Sequence, residues 1–241
     1  MPTAPYALAF AGFLVAMPAA AAPILATDLL VRRDTPALEY RWTAPPHMAL
    51  EPALFRELKL DGQKSLRRED ATAIAAKAGA AKSGFPFNRY VWSQVWKAEA
   101  ETPPLLALSS QVYSYTGGAH GNLVITSVLF DRKTQKQIAF ADLFTDPKAA
   151  FAILTPAWCK AIDAERLKKR GTVKLEMFSD CPKLESYPVV PMGDGSIRMF
   201  RALVPPYEAG PWSEGTYEIP LEATPVAALI KPQYRESFAK P

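Results

Sequence analysis

The chain has 241 residues, 49% hydrophobic and 22% charged, a balance that excludes disordered, collagen-like and coiled-coil classes. Its 23 prolines favour short strands and many turns and leave little room for long helices. The net charge of +4 comes with only short basic runs, which argues against a nucleic-acid partner, and two cysteines with two histidines fit no four-ligand zinc pattern.

Residues 10–17 are an apolar run, followed by small residues from Ala19 to Ala22, with no charge before Asp28. This is the pattern of a secretory signal, and it is well short of a membrane span of about 20 residues. Residues 1–22 are therefore read as a leader and 23–241 as one exported domain, periplasmic or secreted, without stable membrane insertion once the leader is cleaved. No cysteine follows the leader, so a lipid anchor is not expected. In an oxidising compartment Cys159 and Cys181, the only cysteines, are expected to form a disulfide worth roughly 3 kcal/mol.

Leu38–Thr43 reads as a strand closed by Ala44-Pro45-Pro46. A helical region follows over residues 51–82, with Leu54, Phe55 and Leu58 on one apolar face that Ile74 and Ala78 continue. Asp61-Gly62 breaks or kinks it, leaving one helix or two, and Gly84 ends it. From Tyr90 the period changes to two, with Tyr90, Trp92, Trp96 and Ala98 on one strand face. Thr102-Pro103-Pro104 turns the chain into two further strands, Leu105–Tyr115 and Asn122–Asp131. Residues 131–137 form a polar turn and 138–144 a return segment, so this part is an antiparallel meander.

Asp146-Pro147 starts a second helix, in which Phe151, Leu154, Trp158 and Ile162 recur at helical spacing. Pro156 should kink or restart it with Thr155 as a cap, and Gly171 stops it. Lys168-Lys169-Arg170 reads as a solvated helix end. Strands over 187–190 and 197–204 flank Gly193-Asp194-Gly195, a last strand covers 215–221, and 225–230 can form a short helix. The expected fold class is α+β: antiparallel sheet units packed with one long N-terminal helical region and a central helix. It forms a single domain, in which halves near 38–145 and 146–241 are conceivable.

The most distinctive loop is Tyr113-Ser114-Tyr115-Thr116-Gly117-Gly118-Ala119-His120-Gly121-Asn122. Its glycines permit positive φ or close approach, its tyrosines supply flat amphipathic area, and His120 supplies an imidazole able to hydrogen-bond. A tight structural hairpin accounts for the same residues, and both readings stand. A second loop, 205–215, adds Tyr207 and Trp212 as the other rim, should it fold beside the first. The candidate ligand-binding set is Tyr113, Tyr115, Thr116, Gly117, Gly118, His120, Asn122, Tyr207 and Trp212. There is no phosphate-loop ending and no Gly-x-Ser-x-Gly elbow, so no catalytic residue, metal or cofactor is assigned. Glu99 with Glu101 shares a face of a strand, and Glu69 with Asp70 is adjacent; an exposed position explains such acids without catalysis. Trp92, Trp96, Trp158 and Tyr90 have the spacing of core faces.

The 113–122 motif, Phe130-Asp131, Asp142-Leu143-Phe144, Tyr207-Glu208-Ala209-Gly210-Pro211-Trp212 and Gly215-Thr216-Tyr217-Glu218-Ile219-Pro220 together resemble the bacterial exported domain-of-unknown-function family 3298, with its 4163 partner. The resemblance spans roughly residues 38–229. It departs at Gln135, where a turn glycine is common, and at Trp212, where a tyrosine is usual. It implies an extracytoplasmic α+β domain related to the extracellular part of the lysozyme-binding anti-sigma factor RsiV and to the N-terminal region of a peptidoglycan deacetylase. Signalling and deacetylation are not carried over, because the membrane segment, the separate catalytic domain and the histidine-rich metal motif are not seen in this sequence. The implied function is a periplasmic or secreted binding protein of the cell envelope, its partner a peptidoglycan-type glycan or a lysozyme-like protein. The alternative is a hydrolase acting on an envelope substrate through His120.

Overall fold

In the computed structural model, which describes residues 29–239, the alternation Leu38-Glu39-Tyr40-Arg41-Trp42 gives a strand with one buried and one exposed face. This strand, β2 (Leu38–Thr43), pairs antiparallel with β1 (Leu30–Asp34). The leader expected over 1–22 lies outside the described residues. The buried face of β2 meets α1 (Pro52–Ser83), which presents Leu54, Phe55 and Leu58 to Tyr40 and Trp42. At 32 residues, α1 shows that the proline content restricts helices less than its total suggests, since Pro52 occupies the first helical position. Asp61-Gly62 does not break it. Gly62 is where the helix touches β2: the Tyr40 hydroxyl donates to the Gly62 carbonyl at 2.5 Å, and a Cβ there would lie 2.8 Å from Trp42 Cδ1. The expected continuation of the apolar face is corrected, because Ala73 is buried whereas Ile74 is 54% exposed and Ala78 is exposed too. Beyond Ala73, Ile74, Ala78 and Ala81 line an open groove with Pro36 and Ala37 of the β1–β2 turn.

The sheet has nine strands. β3 (Tyr90–Glu101), β4 (Leu105–Tyr115), β5 (Asn122–Asp131) and the short β6 (Lys136–Ile138) form the expected antiparallel meander. Residues 138–144 are not an extended return; they pass into a 3-10 turn, Phe140–Leu143. Gln135 sits at φ 55°, so it holds the left-handed turn conformation itself. A second antiparallel unit, β7 (Val189–Asp194), β8 (Met199–Val204) and β9 (Tyr217–Glu222), joins the first through Ala100↔Gly193 and Glu101↔Asp194. That contact is parallel, as is β2 with β3. Two parallel pairings therefore lie outside the antiparallel scheme, and α1 supplies the crossover that the β2–β3 join requires. The segment 225–230 is 3-10 rather than α-helical, within Thr224–Leu229.

α2 (Pro147–Arg170) is capped by Asp146, whose carboxylate accepts from the Ala149 N–H at 3.0 Å. It runs through Pro156 as one helix. Thr155 is not a cap, because its hydroxyl donates to the Phe151 carbonyl at 2.7 Å, an ordinary mid-helix bond. Ala150, Leu154, Trp158 and Ile162 pack on Phe200, Val204, Tyr217 and Ile219, and this core also takes Leu105, Ala107 and Leu129 from the meander. The disulfide joins Cys159 to Cys181 with a Cα separation of 5.3 Å, tying α2 to the segment after Gly171. Among the described residues no helix is long and apolar enough to cross a membrane.

Candidate functional site

The join between β4 and β5 is shaped by its glycines. Gly117 and Gly118 take φ of 101° and 99°, which a side chain would resist. Gly121 is buried against Tyr113, so closely that any Cβ would fall onto the ring. The Tyr115 hydroxyl donates to the Gly118 carbonyl at 3.2 Å. Tyr113, Tyr115 and the glycines thus brace the loop from beneath, while Thr116, Gly118 and Asn122 are exposed at its tip and Gly117 packs near Asn88.

The braced loop holds His120 outward, towards the loop 205–215. The imidazole stacks on Trp212 with centroids 4.4 Å apart and planes 11° from parallel. Its Nε2 lies 3.0 Å from the Tyr207 hydroxyl and its Nδ1 2.8 Å from the Gly121 carbonyl. A carbonyl oxygen only accepts, so Nδ1 carries the proton, and in the neutral ring Nε2 accepts from the Tyr207 hydroxyl. Trp212 is thus the residue on which His120 rests. Tyr207 is 53% exposed and has φ 72°, a conformation that costs a residue other than glycine of order 1–3 kcal/mol. Its N–H closes the turn by donating to the Gly210 carbonyl at 2.9 Å.

Cations near the C-terminal end of α2 hold this second loop. Arg166, buried on α2, donates to the Ala209 carbonyl at 3.2 Å. Lys169 donates to the carbonyls of Glu214 and Thr216 at 2.8 and 3.2 Å, and Arg170 pairs with the Glu214 carboxylate at 3.2 Å. The reading of 168–170 as solvated is corrected for two of its members, whose side chains are 22% and 9% exposed for Lys169 and Arg170. The Glu214 carboxylate also accepts from the Tyr217 hydroxyl; burial, then this bond and the nearby negative charge, push the phenol well above its usual range. Gly210 leaves room for that pair. The signal in the sequence was cations at a helix end with an acid in a distant loop, but only the fold shows that they meet.

Other candidates separate. A bulge between Ala98 and Ala100 breaks the shared face of Glu99 and Glu101. Glu99 accepts from Ser109 at 2.6 Å and from Arg201 at 3.1 Å, whereas Glu101 pairs with Arg132 at 2.6 Å. Glu69 and Asp70 pair with Arg68 and Arg33. Trp92, Trp96 and Trp158 are core, and Tyr90 packs beside them. Chemically, the cluster is an exposed aromatic and imidazole face with a phenol on the free ring nitrogen, and no serine hydroxyl is bonded to His120. Among the described residues no group of three or more His, Cys, Asp or Glu could hold a metal ion.

Residues 37–123, from β2 to the start of β5 and including the glycine loop, match the family model described as "Deacetylase PdaC". The structure is similar to that of a DUF3298 family member from Bacteroides fragilis, with 15% identity, 86% of this chain and 94% of that chain covered, and a TM-score of 0.51. A DUF3298 family protein from Pseudomonas aeruginosa PAO1 aligns at 16% identity over 88% of this chain and 95% of that one, with a TM-score of 0.48. No curated protein matches the sequence. The chain thus has structural counterparts in DUF3298 and a partial sequence match to the PdaC family.

Proposed function

We propose that the protein is an exported binding protein of the cell envelope and that the His120–Tyr207–Trp212 cluster is its ligand-binding face, with a cell-wall glycan as ligand. The observation that carries this reading is the stack of His120 on Trp212 beside the left-handed Tyr207. Two loops from distant parts of the chain hold three polar-edged rings together at the surface, one of them at a backbone cost. Flat rings suit the apolar faces of sugars, and the Tyr207 hydroxyl and the exposed Asn122 amide suit sugar hydroxyls. The DUF3298-like fold and the partial match to a family named for a deacetylase support an envelope setting, and the leader pattern supports export.

The test is retention on purified peptidoglycan sacculi at low salt, with immobilised lysozyme in parallel. Sacculi should retain the protein, and Trp212→Ala should abolish retention without lowering the melting temperature by more than a few degrees. Retention by lysozyme alone would replace the glycan by a protein ligand. Retention by neither would overturn the binding reading.

A further inference from the structure

One face of β1–β4 lies under α1; the opposite face is exposed over β1 and β2, whereas over β3 and β4 it meets the second unit, with Lys97, Ser109 and Gln111 sharing a small groove with Arg201, Leu203 and Glu218. Leu38, Tyr40 and Trp42 are buried on the first, and Glu39 and Arg41 are exposed on the second. The strand register extends this second face across the sheet. Arg32 stands opposite Arg41, Arg41 beside Ser93, and Ser93 opposite Tyr113, all in one cross-strand row. The next row holds Leu30, Thr43, Val95 and Gln111, and Lys97 opposite Ser109 follows.

The charges on this face are unevenly satisfied. Like charges directly opposite one another oppose strand pairing, yet Arg32 and Arg41 are so placed. Arg32 is relieved by Asp34 at 3.0 Å, and Arg89 takes up Asp34 and Glu39 as well. Arg41 and Lys97 have no hydrogen bond or ion pair among the described residues, and both are exposed. Asp34 and Glu39 are therefore paired while Arg41 is free, and Lys97 is free in a groove where Arg201 takes up Glu99 and Glu218. The Arg41 row reaches Tyr113, whose ring packs against Gly121, next to His120, and continues to Leu123 of β5. From Arg41 to Tyr113 is two strand spacings, roughly 10 Å, the scale of a disaccharide.

Resting on the glycan reading of the His120 cluster, we propose that this second face of β1–β4 continues the binding surface, so that the ligand is an anionic glycan strand. Sugar faces lie on the His120–Trp212 cluster, and peptidoglycan carboxylates meet Arg41 and Lys97. The apolar residues of the face, Leu30 at 41% and Val95 at 40% exposure, stand with Thr43 between them rather than as a hydrophobic patch, so the face suits a polar polymer. A basic protein partner would meet like charge here.

The experiment compares wild type, the double variant Arg41→Glu/Lys97→Glu and Trp212→Ala on two probes: peptidoglycan sacculi and an uncharged chito-oligosaccharide. Wild type should bind sacculi with an affinity that falls as salt is raised. The double variant should lose about tenfold on sacculi while keeping its chito-oligosaccharide affinity and melting temperature. Trp212→Ala should lose both ligands. Wild-type affinity of the double variant for sacculi, or binding indifferent to salt, overturns the proposal for this face and leaves the glycan site intact. Failure of wild type to bind either probe overturns the glycan reading, and this extension with it.

Discussion

Arg166 on α2 donates from Nε to the carbonyl oxygen of Ala209, 3.2 Å away, inside the loop that carries Tyr207 and Trp212. The same guanidinium reaches the carbonyls of Ser179 and Asp180 at 3.2 and 2.9 Å, so a side chain only 1% exposed joins the 205–215 loop to the segment held by Cys159–Cys181. Asp163 at 3.1 Å offsets its charge from a half-exposed position. The planar guanidinium carries five N–H donors, enough for three carbonyls and the Asp163 carboxylate together.

Arg166→Met fills the space but leaves those carbonyls without a donor. It should destabilise by at least about 1–3 kcal/mol. Arg166→Lys, which keeps the charge and loses the fork, should fall between Met and wild type. Denaturant unfolding measures this, and equal midpoints for Met and wild type would show that Arg166 clamps nothing.

The disulfide closes the same bracket from outside. Its reduction, or Cys159→Ser/Cys181→Ser, should cost roughly 3 kcal/mol. Because Cys181 is exposed, reductant should reach the bond in the folded state. Free-thiol titration should give no signal before reduction, and two titratable thiols in unreduced protein would contradict the pairing.

Acid stability should depend on Asp131, a buried carboxylate. Burial alone would raise its pKa. The Thr134 N–H at 3.0 Å, the Tyr234 hydroxyl at 2.9 Å and the Lys133 N–H at 2.8 Å outweigh that, and the net value is lowered. A carboxyl with a lowered folded pKa adds stability above its unfolded value, about 4, and loses it as pH falls through the folded value. Asp131→Asn should therefore be less stable than wild type at neutral pH, with the gap closing below pH of about 4. A gap that stays constant from neutral pH into that acid range would remove Asp131 from the acid transition. Tyr234 has the opposite sign: burial, then the Asp131 bond and charge, raise its pKa, so its contribution is whole below about 10 and is lost as pH rises through the folded value.

Elements with a plain period could be read before folding. β2, β4 and β5 fall at the bounds their alternation predicts, and α2 runs from the Asp146-Pro147 start to the Gly171 stop. His120 stood out because its loop combines chemistry with unusual backbone freedom. What could not be read depends on contacts between distant segments. Ile74 looks like core by spacing and is exposed, because there the helix lines an open groove beside Pro36 and Ala37. Glu99 and Glu101 share parity in the sequence, and one extra residue in the ladder separates them. Arg166 reads as one more charge on a helix, since backbone carbonyls from other segments leave no mark in composition.

Tyr207 offers the sharpest separation of stability from function. At φ 72° a side chain is strained, so the usual order of substitutions should reverse there. Tyr207→Ala keeps the strain and loses the ring. Tyr207→Gly also loses the ring, but relief of the left-handed backbone, worth roughly 1 kcal/mol, offsets the added freedom of its unfolded chain. The glycine variant should thus be more stable than the alanine variant by up to about 1 kcal/mol, although glycine is ordinarily the weaker residue. Both should lose affinity for sacculi, because neither returns a hydroxyl to Nε2 of His120, 3.0 Å away in the wild type. Tyr207→Phe, which keeps the ring and the strain, isolates that hydrogen bond, and its binding should lie between those variants and wild type. If alanine proves the more stable of the two small residues, the left-handed turn is not a cost the loop bears in solution. If the glycine variant binds sacculi like wild type, the Tyr207 ring is not part of the binding face.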